Sequence, residues 1–477
     1  MIWRADRWCD ESAATVLLHQ YGARKTVDVD EPIAPRYRLC GAQIPDLPHS
    51  PRLMADDQRS GRTASDARPW AIFAHRDFNL LWAGGIAMSV TMILRTLISA
   101  QWLYDETGSA AQLGLLGAVQ LLQMPVALYG GTLADSVDRK KLMAMTQTVA
   151  FGMLVALTLL AFTDRLAPWH IFAVTGVSGI VNQLGDSARP AMLPRVVPRH
   201  LLINAVTTQT ATFNVAAVVA PLVFVFWQLF DFSGATVSFG VAAAFALASL
   251  VTPLMLRVSG RPEGGSLGAP GKSLKEGYRF IMGHQLLPGL FLLDIGVTVV
   301  SFYRTLFPVF AHQLYGLGAS GTGLLSAANA AGAILGNFVV FFTDRFGRKG
   351  VLVLVATLAY AFLLFGFGLN RVFVVGLVIV GLLGATDSVG QTMRQAIAQL
   401  TTPDKLLGRA SGAHSFSAMG ANSMGQIEVG LLSASIGAGS TMVLGGVISV
   451  VVVLAIWSFM PGIRRYRYDP ADQYRRE

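Results

Sequence analysis

From Phe78 onward the chain is a succession of apolar runs of about 20 residues separated by short polar turns, the length a helix needs to cross ~30 Å of hydrocarbon at ~1.5 Å per residue. Twelve runs are read: 79–103, 111–133, 142–163, 168–188, 204–229, 234–256, 287–310, 320–342, 350–369, 372–394, 410–434 and 439–460. The fifth, eighth and eleventh are diluted by Ala, Gly, Ser and Asn, the residues that let helices pack closely in lipid. Composition agrees: 53% of 477 residues are hydrophobic and only 14% are charged, with mean hydropathy +0.51, outside the range of an ordinary soluble domain. The sequence predicts an all-α membrane protein.

The runs also repeat. Asp135 is followed by Arg139 and Lys140, and Asp344 by Arg348 and Lys349, at an offset of 209 residues. The same offset carries Arg95-Thr96-Leu97 onto Arg304-Thr305-Leu306 and Gly114-Leu115-Leu116 onto Gly323-Leu324-Leu325. At 205, Arg189 and Pro198 map onto Arg394 and Pro403. A repeat of nearly half the chain predicts twelve transmembrane helices in two pseudo-symmetric six-helix bundles enclosing a site at their interface, as in secondary transporters. The expected division is a disordered cytoplasmic extension over 1–70, a first bundle over 71–256, a cytoplasmic linker over 257–286, a second bundle over 287–460 and a cytoplasmic tail over 461–477.

Charge sets the orientation. Arg and Lys fall on one set of alternate connections, including Arg139 to Lys141, Arg257 to Arg279 and Arg345 to Lys349, whereas the opposite connections carry only Arg165 and Arg371. By the positive-inside rule both termini are expected in the cytoplasm, the membrane being the inner one. The net charge of +9 is thereby topological, and no nucleic-acid partner is expected. Residues 1–70 balance ten basic against ten acidic residues and lack sustained apolar periodicity, which suits a polar extension. Glycines and prolines between Arg257 and Gln285 suit a flexible linker, and Lys272 to His284 could form an amphipathic surface helix.

Several chemistries find no support. Cys9 and Cys40, the two cysteines, lie before the first span, and the eight histidines show no metal spacing. The sequence has no phosphate-binding Gly-x-x-x-x-Gly-Lys loop, and its Gly-x-Ser-x-Gly string, Gly264 to Gly268, falls in the glycine- and proline-rich connection rather than in the strand-to-helix turn a nucleophile elbow needs. An enzyme is not expected, nor a cofactor or metal.

The charged turn at Gly131, Asp135, Arg139 and Lys140, with its second copy at Asp344, Arg345, Gly347, Arg348 and Lys349, resembles the signature loop of the major facilitator superfamily. Ser136, Asp138 and Val340 depart from the pattern. Phe78-Asn79-Leu80-Leu81-Trp82, Tyr104 to Ser109, and Ala188 to Arg195 with Asn204-Ala205 are similar to the branch that includes the enterobactin exporter and macrolide efflux proteins. Ala220-Pro221 stands where relatives carry Gly-Pro, and the fourth run, as bounded, holds no Arg. The resemblance implies a secondary transporter, exporting a siderophore-like or drug-like compound by alternating access, with the two loops latching the outward-facing state. Protons, a small-molecule substrate and the bilayer would be its partners, and a monomer its state. A second reading is a transporter-derived sensor or assembly subunit acting through residues 1–70.

Ionisable residues inside the runs cost several kcal/mol unless they face a cavity or partner. These are Arg95, Asp294, Arg304 and Glu428. Asp294 and Glu428 could carry a proton, or pair structurally with a neighbouring helix. Arg95 and Arg304 hold equivalent places in the first helix of each half. They could bind an anionic substrate by forked hydrogen bonds, be neutralised by Asp294 or Glu428, or snorkel to the interface. Asp186 and Asp387, near the ends of runs four and ten, read as loop-side anchors.

Overall fold

The computed structural model describes residues 38–39, 42–43, 69–126, 137–228, 234–260, 270–343 and 347–466. The chain divides into two units, Met1–Arg68 and Pro69–Glu477. In the first, Arg38–Leu39 (β1) pairs antiparallel with Ala42–Gln43 (β2), placing Arg38 opposite Gln43. The rest of the expected extension as far as Arg68 lies outside the described residues, as do residues 261–269 of the linker and the tail from 467.

The second unit is helical. It comprises α1 (Arg76–Thr107), α2 (Ala110–Gln120), α3 (Arg139–Phe162), α4 (Pro168–Val196), α5 (Leu202–Gln228), α6 (Ala235–Met255) and α7 (Pro270–Gly283), then α8 (Leu287–Val300), α9 (Gly318–Phe342), α10 (Lys349–Leu369), α11 (Phe373–Thr401), α12 (Asp404–Ile436), α13 (Ala438–Phe459) and α14 (Pro461–Arg465). Among the described residues nine helical stretches are long and apolar enough to cross a membrane. α4 and α12, at 29 and 33 residues, fall outside that set because Asn, Gln, Ser, Gly and charged residues dilute them. Taken in chain order, α1 to α6 are a first group of helices and α8 to α13 a second, and the two meet chiefly where α2 lies against α12 and α5 against α9.

Small residues set these crossings. A side chain at Gly114 of α2 would come within 2.9 Å of the Gln426 carbonyl and of Gly430 Cα on α12, so the two backbones are in direct contact, as small residues allow in lipid. At the same end of the molecule, Thr322 Oγ1 of α9 donates to Gln101 Oε1 of α1 at 2.6 Å, and the Tyr104 ring meets the His312 ring edge-on at 5.9 Å. The two helix groups are therefore fastened to each other at the end that carries the α1–α2 turn.

The first helices of the two groups differ in a way their shared motif does not announce. α1 runs unbroken through Arg95. α8 stops at Val300, Ser301 Oγ turns back to the Val297 carbonyl at 2.6 Å, and Tyr360 Oη of α10 donates to the Ser301 carbonyl and hydroxyl at 3.0 Å. The chain continues as a 3-10 turn (Tyr303–Leu306) and a short helical piece holding Pro308, then a π turn (Phe310–Leu314). Pro308 has no N–H to donate, and the π turn widens the backbone beyond it. At the start of α8, His284 Nδ1 accepts from the Leu286 and Leu287 amides at 3.1 and 3.4 Å, and burial pushes its imidazole below the ordinary value. That shift favours the neutral ring able to accept.

The linker segment Lys272 to His284 is a helix over most of its length, as expected: α7 docks on α12 through the Arg409–Glu276 ion pair and a Tyr278–Ser417 hydrogen bond, with Ile281 buried.

Candidate substrate cavity and its charges

A cavity of about 820 Å³ lies between the two helix groups and is lined from both. Its polar wall combines serine and threonine hydroxyls with carboxamides, among them Gln120, Gln123, Asn182, Asn329 and Asn422. Some of these are already engaged: Gln426 Nε2 donates to Gln120 Oε1 at 3.1 Å, and Asn329 Nδ2 donates to the Tyr303 hydroxyl. Arg95 and Arg304 both line this space, one from the unbroken α1 and the other from the 3-10 turn that follows α8.

The two arginines are held differently. Arg304 Nη2 lies 2.6 Å from Asp387 Oδ2 of α11, and its guanidinium stands 5.8 Å from the Tyr303 ring centre. Arg95 makes no hydrogen bond or ion pair among the described residues. The repeat explains why. At the 205-residue offset that relates Arg189 to Arg394, the counterpart of Asp387 in the first half is Asn182, which lines the cavity with Arg95 but is neutral.

The same asymmetry recurs one layer away. Asp294 Oδ1 of α8 lies 2.7 Å from Arg394 Nη2 of α11, with His414 Nε2 of α12 at 3.9 Å from Oδ2. The counterpart of Asp294 at offset 209 is Gly85. A side chain at Gly85 would meet Arg189 Nη1 at 2.8 Å, and that arginine donates instead to the Leu81 carbonyl at 2.8 Å. Each half thus ties its first helix to its fourth through an equivalent arginine, to the Leu81 carbonyl in the first half and to the Asp294 carboxylate in the second. The first half was expected to have no arginine in its fourth span; α4 continues to Val196 and includes Arg189.

Asp387, expected as a loop-side anchor, is instead the partner of Arg304, because α11 extends to Thr401 and leaves residue 387 within it. Neither Asp294 nor Glu428 neutralises Arg304. Glu428 lies off both charge clusters, with its Oε2 buried and lacking a hydrogen-bond partner. Asp387, Arg394 and His414 were not singled out as site residues by sequence reasoning. Applying the repeat offset to every charged position, rather than to motifs alone, would have exposed the Asp387/Asn182 and Asp294/Gly85 differences.

Of the loop residues, Gly131, Asp135, Asp344 and Arg345 lie outside the described residues. Arg139 opens α3, its amide donating to the Gly260 carbonyl at 2.9 Å, and Lys140 Nζ donates to the Leu256 carbonyl at the C-terminal end of α6 at 2.7 Å. A cation there satisfies an orphan carbonyl and complements the helix dipole. Lys349, buried, donates to the Thr343 carbonyl at 3.0 Å, while Gly347 and Arg348 precede α10.

The sequence profile of the transmembrane secretion effector family, a branch of the major facilitator superfamily, matches residues 67–475. The chain belongs to this family. Among curated relatives of this secretion effector are the enterobactin exporters EntS of Citrobacter koseri and Shigella boydii serotype 4, each 26% identical over 405 residues, or 84% of this chain and 93% of theirs. Solved structures with the same fold include a bacterial homologue of the lysosomal transporter Spinster (TM-score 0.62, 18% identity, 83% of this chain and 99% of that one) and a D-xylose-proton symporter (0.59, 14%, 81% and 98%). The secretion effector is therefore a multi-pass membrane transport protein of major facilitator fold, and not an enzyme.

Proposed function

We propose that this secretion effector exports a small organic anion across the inner membrane by alternating access, binding it in the 820 Å³ cavity between Arg95 and Arg304. The observation that carries this reading is Arg95. A guanidinium keeps its charge under all ordinary conditions, and this one faces a cavity with no partner among the described residues while its pseudo-symmetric mate has one. The cavity therefore has a net positive charge that an anion can complete. The enterobactin exporters among its relatives make a siderophore-like cargo a natural choice.

The full arrangement under this proposal is twelve spans in two six-helix bundles, with both termini cytoplasmic and a monomer as the working unit. Proton coupling is assigned to the carboxylates Asp294 and Glu428, with Asp294 the better placed because it sits beside Arg394 and His414. Cytoplasmic ends carry the loop residues Gly131, Asp135, Arg139 and Lys140 and their second-half copies, which would brace the outward-facing state. Asp135→Asn is accordingly expected to lower transport much more than expression, and to make a cysteine on the periplasmic side of the cavity less reactive. Unchanged flux and reactivity would reduce the loop to a topology signal.

The cavity reading is tested by Arg95→Gln and Arg304→Gln, each beside its Lys counterpart, in vesicles loaded with anionic, neutral and cationic compounds. A lost charge-assisted hydrogen-bond pair is worth roughly a ten- to hundredfold drop, expected for anions alone, with Lys restoring only part of it. Equal transport of every class by all four variants would leave the arginines as structural. The second reading, a sensor or assembly subunit working through residues 1–70, requires instead a stable complex that depends on those residues and no flux of any compound.

A further inference from the structure

Arg95 stands between two spaces. One is the main cavity, and the other is a small chamber of about 30 Å³ inside the first half, enclosed by α1, α3, α4 and α6. Besides Arg95, its polar lining comes from Thr91, Thr146, Gln147, Ser178, Asn182 and Ser249; the remaining lining side chains are aliphatic or methionine, and no carboxylate is among them. Most of these polar groups are already occupied. Thr91, Thr146 and Ser249 donate their hydroxyl hydrogens to the carbonyls of Ala87, Met143 and Gly84, at 2.7, 3.0 and 3.3 Å. Gln147, its amide turned so that the nitrogen donates to the Ser249 carbonyl at 2.6 Å, is engaged as well. Asn182 makes no hydrogen bond among the described residues, and Ser178 Oγ reaches only the sulfur of Met153, at 3.9 Å. The donors left for an occupant are the Arg95 guanidinium, the Asn182 amide and the Ser178 hydroxyl. The last two are four residues apart on α4 and so share one face of it.

A guanidinium inside a membrane span costs several kcal/mol unless it has a partner or a wet cavity. In the second half that partner is Asp387, at 2.6 Å from Arg304. In the first half the equivalent position is Asn182, which cannot neutralise a cation but can donate to an anion lying against one. A chamber of this volume admits about two waters or one monatomic anion, and is too small for an organic carboxylate. One permanent charge and two neutral donors, with no acid nearby, offset the desolvation of such an ion.

We propose that this chamber is a halide site, holding one chloride ion against Arg95, Asn182 and Ser178 where the second half has Asp387. The inference goes beyond the export reading, because it needs only the charge of Arg95 and the closed space behind it, whatever the main cavity carries. An organic anion that reaches Arg95 from the main cavity shares the guanidinium with the halide, and like charges on one cation weaken each other's binding. The asymmetry of the repeat thus has a chemical consequence: one half carries its counter-ion in the chain, and the other takes it from solution.

The test is the quadrupolar NMR line width of chloride in the presence of the full chain in non-ionic detergent, where exchange on and off a protein site broadens the resonance. Wild type is expected to broaden it saturably, with bromide competing. Arg95→Gln should abolish that broadening. Asn182→Asp, which supplies the carboxylate the second half possesses, should abolish it too while unfolding at no lower temperature than wild type. Ser178 borders the chamber and not the main cavity, so Ser178→Ala should raise the half-saturating chloride concentration about tenfold, the value of one hydrogen bond to a charged group. It also keeps the test decisive if a charge-changing variant fails to fold. Broadening that survives Arg95→Gln or Asn182→Asp reports surface ions and overturns the site. Broadening that needs Arg95 but is indifferent to Ser178→Ala puts the ion in the main cavity and overturns the chamber. The export reading is judged apart from this, by flux of organic anions.

Discussion

Arg394→Leu is expected to destabilise the folded chain by about 3–5 kcal/mol, the range for removing one member of a buried ion pair. The pair is well enclosed, with the Arg394 and Asp294 side chains only 11% and 15% exposed, so solvent screening offers little relief. The penalty comes from what is left behind: Asp294 loses its guanidinium partner and keeps His414 at 3.9 Å. Removing both charges is a different matter. An Asp294→Leu/Arg394→Leu double variant leaves no unpaired charge behind and should recover most of the stability, because a buried pair is worth little over hydrophobic replacements. Thermal unfolding in detergent and the yield of inserted protein measure this directly. If the two single losses simply add in the double variant, the pair is not the unit of stability assumed here. Flux in the recovered double variant then separates the two uses of Asp294: a stable protein that no longer transports ties the carboxylate to the transport cycle, whereas full flux confines it to structure.

A second large effect is expected at Gly114. Leucine there would force its Cβ to within 2.9 Å of Gly430 Cα and the Gln426 carbonyl, and backbone on both sides can yield only by moving a helix. Overpacking of this kind costs about 1–3 kcal/mol, and it falls on the arrangement in which α2 and α12 touch. Two conformations of a transporter differ by only a few kcal/mol, so a population shift of roughly tenfold or more follows. Cysteines placed at Gln101 and Thr322, now joined by a 2.6 Å hydrogen bond across the same end, should become more reactive toward a membrane-impermeant thiol reagent. Transport should fall at least as far, while insertion remains intact because each helix is unaltered outside the contact. Unchanged reactivity would mean that the crossing tolerates a side chain and is looser than its geometry implies.

What could be read from the sequence follows from the range over which each signal acts. Membrane helices announce themselves locally, through apolar length, and the charged turn repeats at a fixed offset, so the helical class and the family resemblance were both within reach of residues 78–460. The break in α8 was not. Pro308 is visible, but the diversion depends on Tyr360 reaching Ser301 from another helix, and 59 residues of sequence conceal that contact. Asp387 was misplaced for a related reason: a boundary drawn by hydropathy put it at the edge of a span, whereas α11 carries it well inside and against Arg304. Arg95 and Arg304 looked equivalent because their neighbours repeat, and the difference between them resides in Asn182 and Asp387, which no shared motif surrounds.

The wall of the main cavity bears on what a cell gains by carrying this protein. Among the described lining residues the aromatic ones are Phe302 and Phe307, with carboxamides and an unpaired guanidinium making up much of the polar remainder. Lipophilic cations are held in binding sites by aromatic faces and negative charge; here they meet few of the former and a positive field that repels them. On the proposed anion site, overproduction of the protein is expected to leave sensitivity to cationic dyes and quaternary ammonium antiseptics where it was, and to protect only against acidic toxins and the cell's own acidic products.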